Sequence, residues 1–195
     1  MPAFRLIRRL LDLDDVSGTP TAGASLQYDG TQWVPSSTLS PGYWGSFWNT
    51  QDQTATGDDE AKAITVNASD GQNNGVSVVS NSQITFANAG VYNLQFSAQI
   101  DRDSGSGLAE VDIWLSKNGA NVANTNTRVT VSGSASQAKM VAAWNLVVKL
   151  AASDYLELYW STTDDRIILH AEGTQSNPTR PAIPSVIITA TQVSA

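Results

Sequence analysis

The sequence predicts an all-β protein, an antiparallel sandwich, on three observations. Many short runs alternate apolar and polar residues with a period of two, the mark of strands with one buried face. Turn chemistry separates these runs, and no proline falls between Asn49 and Asn177, as central strands require. Ser, Thr, Asn, Gln and Gly dominate the polar fraction while charged residues make up only 15 %, a composition suited to sheets rather than helices.

Three zones follow in order. Residues 1–16 carry Arg5, Arg8 and Arg9 among apolar residues, then turn acidic at Asp12, Asp14 and Asp15. Phe4, Ile7, Leu10 and Leu11 fall on one helical stripe, yet the segment also fits an extended docking arm, and both readings stay open. Either is too short to be stable alone and implies burial against another surface. Residues 17–42 are rich in Gly, Ser, Thr and Pro and read as linker. Within them Asp29-Gly30 signals a small hairpin anchored by Tyr28 and Trp33.

Residues 43–195 form the main domain. Strands are predicted over 43–48, 61–67, 75–80, 83–87, 91–100, 109–118, 126–132, 139–150, 155–162, 166–173 and 185–193. The clearest is VYNLQFSAQI, where Tyr92, Leu94, Phe96, Ala98 and Ile100 alternate with Asn93, Gln95, Ser97 and Gln99. The apolar set belongs in a core. The amide-rich set carries no charge, although a solvated strand face usually collects Lys or Glu. Uncharged amides and hydroxyls can hydrogen-bond across a contact without the penalty of burying full charges. The last strand, with Ile187, Thr189 and Thr191 on one side and Val186, Ile188 and Ala190 on the other, is also free of charge on both faces. Two-sided cover in a domain of this size points to an oligomer. Periodicity alone leaves jelly roll, immunoglobulin-like sandwich and closed barrel as alternatives.

Composition narrows the function classes. The net charge of −7 argues against nucleic acid as a main partner. Without Cys there are no disulfides or thiolate sites, and no apolar run approaches the length that crosses a bilayer. The N-terminus lacks the long apolar core and small-residue cleavage site of a signal peptide. A protein of this kind working outside a cell leaves it by another route, such as lysis.

Candidate chemistry is sparse. His170 is the single imidazole, and no Ser sits in a nucleophile-elbow pattern, so it reads as structural or surface. A metal site at His170 and Glu172 lacks further ligands at suitable spacing. Asp58-Asp59-Glu60, Asp101 with Asp103, and Asp164-Asp165 offer the hard oxygens that Ca²⁺ takes, but no EF-hand pattern, and read as solvated loops. No catalytic residue, metal or cofactor is assigned. Trp44, Trp48, Trp144 and Trp160 read as core or seam pieces. Trp114 stands opposite Val111, Ile113 and Leu115, flanked by Asp112 and Ser116, and calls for cover by a loop, a subunit or a ligand.

Two resemblances rest on these residues. Gly90-Val91-Tyr92 followed by Leu94, Phe96 and Ala98, the Lys117-Asn118-Gly119 hairpin, the step from Leu150 to Leu156 with Ser153 standing where Gly is typical, and the closing strand Pro184 to Val193 come in the order seen in the C1q and tumour necrosis factor superfamily. Residues 43–195 therefore resemble its trimeric jelly roll. That implies a homotrimer whose interface draws on Asn93, Gln95, Ser97, Gln99, Trp114, Ile187, Thr189 and Thr191. Asp15-Val16, Pro20 to Gly23 and Leu26-Gln27-Tyr28-Asp29-Gly30-Thr31-Gln32-Trp33 are similar to a short module of bacteriophage fibre and virion proteins. Together they imply a non-enzymatic structural protein on a virion, made in the host cytoplasm: a tail fibre or appendage, or a capsid spike or decoration. Phe4, Arg5, Ile7, Arg8, Arg9, Leu10 and Leu11 would anchor it to other virion proteins, and its head would be displayed outward, with attachment to a host glycan or receptor and passive decoration as alternative roles. No membrane insertion is implied.

Overall fold

The computed structural model describes residues 16–19, 25–36, 42–135 and 137–194. The expected anchoring residues Phe4 to Leu11, and linker residues 20–24 and 37–41, lie outside the described residues. The chain divides into two compact units, Met1–Pro41 and Gly42–Ala195.

In the first unit β1 (Ser25–Tyr28) pairs antiparallel with β2 (Trp33–Ser36), Tyr28 opposite Trp33. Asp29 shapes the loop between them: its Oδ1 accepts hydrogen bonds from the Thr31 and Gln32 N–H groups, both at 2.9 Å. Gly30 takes φ +101°, a conformation that side chains resist. The Tyr28 and Trp33 rings lie 5.5 Å apart, and Val16 is buried beside Trp33 through a parallel bridge.

The second unit contains β3 (Trp44–Asn49), β4 (Gln53–Thr54), β5 (Lys62–Ala63), β6 (Ala68–Ser69), β7 (Val76–Val79), β8 (Gln83–Phe86), β9 (Gly90–Arg102) and β10 (Ser106–Lys117). It continues with β11 (Ala120–Asn121), β12 (Thr127–Ser134), β13 (Met140–Leu150), β14 (Tyr155–Thr162), β15 (Ile167–Leu169), β16 (Gln175–Ser176), β17 (Thr179–Arg180) and β18 (Val186–Ser194). No helix occurs among the described residues. One sheet runs β4-β15-β9-β18-β3-β6, with β13 also paired to β9; the other runs β11-β10-β14-β8-β7, with β12 on β10 and β5 on β14.

The pairing is nested. β3 pairs with β18, β8 with β14, β9 with β13 and β10 with β12, all antiparallel. Strands taken forward from the start of the domain thus meet strands taken backward from its end. That wrapped arrangement is the jelly roll, and it removes the immunoglobulin-like and barrel alternatives.

The core lies between the two sheets. Tyr92, Leu94, Phe96, Ala98 and Ile100 are at most 4 % exposed. They meet Val111, Ile113 and Leu115 of β10 and Leu156, Leu158 and Trp160 of β14 in one buried cluster. Phe86 and Tyr92 pack edge to face with ring centres 4.6 Å apart, while the Tyr92 hydroxyl donates to the Asn88 carbonyl. Trp160 is fully buried, as the core reading expects.

Two predicted strands are shorter than their patterns. AKAITVN buries Ile64 and Val66 as a strand would, but the segment passes from one sheet to the other. β5 bonds to β14, and β6 bonds to β3. Between them, Ile64 N–H donates to the Leu158 carbonyl and Asn67 N–H to the Trp48 carbonyl. The run predicted over 166–173 holds its regular ladder only through Leu169; His170 N–H still donates to the Gln99 carbonyl, Asp52 then engages the chain at His170 and Ala171, and Glu172 turns to bridge Ile183.

Candidate functional site

The outer face of the β9 sheet is built by register. Ala143, Ser97, Ile187 and Trp48 form one row across β13, β9, β18 and β3. Asn145, Gln95, Thr189 and Ser46 form the next, and Val147, Asn93, Thr191 and Trp44 the third. No residue in this grid is charged. Asn145 donates to the Asn93 side chain at 3.1 Å. The side chains of Gln95, Ser97 and Thr189 make no hydrogen bond among the described residues, so the centre of the face holds unused donors and acceptors. Around them Val141, Val147, Ile187 and Val193 are 56, 62, 40 and 58 % exposed. Scattered exposed aliphatics need no explanation; here several share one uncharged face.

Charge lies at the margins. Lys149 stands beyond the third row. At the opposite end Lys139 Nζ binds Asp101 at 3.2 Å and Glu172 at 3.0 Å, and Glu172 also faces Arg180 at 3.6 Å. Glu172 is held below its ordinary pKa, chiefly by the hydrogen bond from Lys139, which is itself raised by the same bond. His170 Nδ1 lies 3.1 Å from Asp52, and its other nitrogen faces Glu172 at 3.9 Å. The imidazole therefore sits between two carboxylates, not between a carboxylate and a serine hydroxyl. Asp101 is buried and paired with Lys139 rather than turned with Asp103 toward a cation.

Of the residues expected at an interface, Asn93, Gln95, Ser97, Gln99, Ile187, Thr189 and Thr191 share this face. Trp114 does not. It lies on β10, on the outer face of the other sheet, because β10 and β9 belong to different layers. There its ring stacks on Tyr159, with centres 6.0 Å apart and planes 22° apart, and its indole N–H donates to Asn121 Oδ1 at 2.9 Å. The cover it called for comes partly from its own hairpin loop. That outer face is charged: Arg128 bridges Glu110 and Asp112 at 2.7 Å each. The arginine bond and a second bond from Asn126 hold the Asp112 carboxyl below its ordinary pKa.

Sequence reasoning missed the contributions of β13 and β3. KMVAAWNLVVKL is apolar on both faces, so its pattern does not say which side is covered. Trp144 turns inward from β13 and packs edge to face on Phe96, with ring centres 4.5 Å apart.

Two grooves open on the second unit. One, of about 500 Å³, is lined by Phe47, Asn67, Asp70, Asn73, Val76 and Asn81 among others. Its polar side chains hold its own loop: Asn73 accepts from Ser46 N–H, Asp70 from Gln72 N–H and Asn67 from Thr50 N–H. The other, of about 420 Å³, is formed by Asp112, Trp114, Ser161 and the 121–126 loop. The carboxyl oxygens of Asp58, Asp164 and Asp165 come within 4.8 Å of one another. Asp164, however, is engaged by Arg102 at 2.6 Å and Arg166 at 2.7 Å, and Asp58 accepts from Asp165 N–H at 2.7 Å. This cluster clasps two loops together.

No family model matches the sequence, and no curated protein matches it. Among solved structures the chain is similar to Eiger TNF from S. frugiperda, at 12 % identity and a TM-score of 0.49, covering 78 % of this chain and 93 % of that one. It is also similar to the globular domain of zebrafish complement 1qA protein, at 11 % identity and a TM-score of 0.43, covering 77 % of this chain and 97 % of that one.

Proposed function

We propose that this chain is a structural head protein of a bacteriophage particle, assembled as a homotrimer through the outer face of the β9 sheet and anchored by its N-terminal segment. The observation that carries the reading is the grid centred on Gln95. It is free of charge and carries exposed aliphatics, with Lys139 and Lys149 only beyond its ends, while the opposite sheet carries Glu110, Asp112 and Arg128 on its outer face. A trimer leaves the charged sheet in water and removes the uncharged one from it. The order of motifs through residues 43–195 supports three copies, and the Asp15–Trp33 module supports a virion context. Three anchoring arms acting together would multiply the hold of each.

Mass by light scattering tests the assembly. The full chain is expected to run as a trimer at micromolar concentration, and a clean monomer refutes the reading. Gln95→Glu brings three like charges toward one axis, where each juxtaposition costs several kcal/mol, and is expected to yield folded monomer. Glu110→Gln on the other sheet is expected to leave the mass unchanged. Removal of residues 1–16 is expected to spare the trimer and abolish incorporation into particles; full occupancy by the shortened chain refutes the anchor.

A further inference from the structure

The groove beside Trp114 has a construction that the trimer reading does not use. Trp114 lines it, its ring stacked on Tyr159 and held by the bond from its N–H to Asn121. Its wall is the loop from Val122 to Asn126, which is stapled to β10 from beneath. Thr125 Oγ accepts from the Leu115 N–H at 3.1 Å and donates to the Val122 carbonyl at 2.8 Å. Val122 N–H donates to the Leu115 carbonyl at 2.8 Å. Asn124 takes φ +63° at the apex. The groove is thus formed before anything enters it, which limits the ordering cost of binding.

Polar groups along the rim remain unengaged by the chain. Asn121 uses its carbonyl oxygen on Trp114, leaving its amide N–H₂ as donor. Asn126 uses its amide N–H₂ on Asp112 at 3.1 Å, leaving its oxygen as acceptor. The side chains of Asn124 and Ser161 make no hydrogen bond among the described residues. Asp112 adds a carboxylate already balanced by Arg128. Planar amides that both donate and accept, set around an aromatic face, match a pyranose. The ring presents C–H bonds to the indole and equatorial hydroxyls to the rim. The lining contains no cation, so it does not select acidic sugars.

We infer that this groove binds a neutral saccharide unit, with Trp114 as the stacking platform and Asn121, Asn124, Asn126 and Ser161 reading its hydroxyls. The groove belongs to the sheet opposite the proposed interface, so this inference stands whether the protein is a trimer or a monomer.

Saturation-transfer NMR on the full chain tests it, with glucose, galactose, mannose, N-acetylglucosamine, maltose, lactose and the acidic sugars glucuronate and sialic acid as probes. At least one neutral sugar is expected to receive saturation, strongest on the C–H protons of one ring face. Trp114→Ala is expected to abolish the transfer, and Asn124→Gly, which adopts the φ of +63° without strain, to weaken binding about tenfold by removing one polar contact. Asn124 is an exposed loop residue, so its variant keeps the test decisive if Trp114→Ala fails to fold. Transfer to no probe, transfer to acidic sugars alone, or neutral-sugar transfer unchanged in Asn124→Gly and in a folded Trp114→Ala overturns the inference.

Discussion

Arg102 is among the largest fully buried side chains in the protein, and Asp164 is the carboxylate that makes its burial tolerable. Its Nη1 donates to Asp164 Oδ2 at 2.6 Å, its Nη2 reaches the Gly107 carbonyl only at 3.4 Å, and its Nε has no partner among the described residues. The Arg102 side chain is 0 % exposed and that of Asp164 11 %. Changing Asp164 to Asn keeps the shape and removes the charge, leaving a buried guanidinium uncompensated. Breaking a buried pair in this way costs about 3–5 kcal/mol. The slight exposure of Asp164 places the loss near the lower end, about 3 kcal/mol, or about 6–12 °C in Tm for a chain of this size. Arg166, the other partner of Asp164, is 48 % exposed. Arg166→Gln is therefore expected to cost under about 1 kcal/mol. Arg102→Met combined with Asp164→Asn is expected to be more stable than Asp164→Asn alone, since no charge is then stranded. Urea unfolding followed by tryptophan fluorescence measures all four proteins. An Asp164→Asn variant no less stable than Arg166→Gln refutes the reasoning. The carboxyl of Asp164 is held well below its ordinary pKa, first by Arg166 and then by Arg102. Its contribution is thus present above about pH 4 and lost as the pH falls further, so the variant should flatten the acid limb of the stability profile.

Three further outcomes follow from single residues. Ser153 holds φ +69° between β13 and β14, so Ser153→Gly is expected to stabilise the protein by about 0.5–1 kcal/mol in thermal unfolding; a lower Tm refutes the strain. Asp154 is lowered from 3.8 to about 2, chiefly by Lys117, with Asn118 and the Ala151 N–H adding to it. Its stabilisation is full above about pH 4 and lost as pH falls through 2, and Asp154→Asn should remove about 1 kcal/mol at neutral pH after allowance for screening. Gly75 has φ +67°, and an added Cβ would meet Tyr43 at 2.5 Å. Gly75→Ala is expected to cost about 2 kcal/mol by urea titration, and an unchanged midpoint would show that Tyr43 yields freely.

The strands most legible in the sequence were those whose two faces differ. The alternation from Tyr92 to Ile100 assigns core and surface without ambiguity, and Tyr155–Thr162 matches the predicted run end to end. At 61–67 the same alternation reports burial correctly, yet it is silent on the change of sheet that divides the ladder. The uncharged face was half legible: β9 and β18 announce it through missing charge, whereas β13 buries and exposes similar apolar residues and β3 exposes its Trp side. Trp114 was recognised as needing cover, but not as belonging to the other layer. Which strands neighbour which depends on long-range register, and no local pattern carries that. The Asn-rich run from Asn118 to Asn126 was the available signal for the groove. Its meaning depends on a hairpin that folds it over Trp114.

The nested pairing also governs when the domain can fold. β18 lies between β9 and β3, with Ile188 opposite both Phe96 and Phe47. Until Val186–Ser194 has been synthesised, β3 lacks its long neighbour and the apolar side of β9 is only partly closed. Contacts across so many intervening residues form slowly, and the incomplete sheet offers open strand edges to other nascent chains. A chain interrupted shortly before Val186 would therefore lack a central strand of the sheet rather than a dispensable tail. It should be found in aggregates or with chaperones, not as a shortened soluble head.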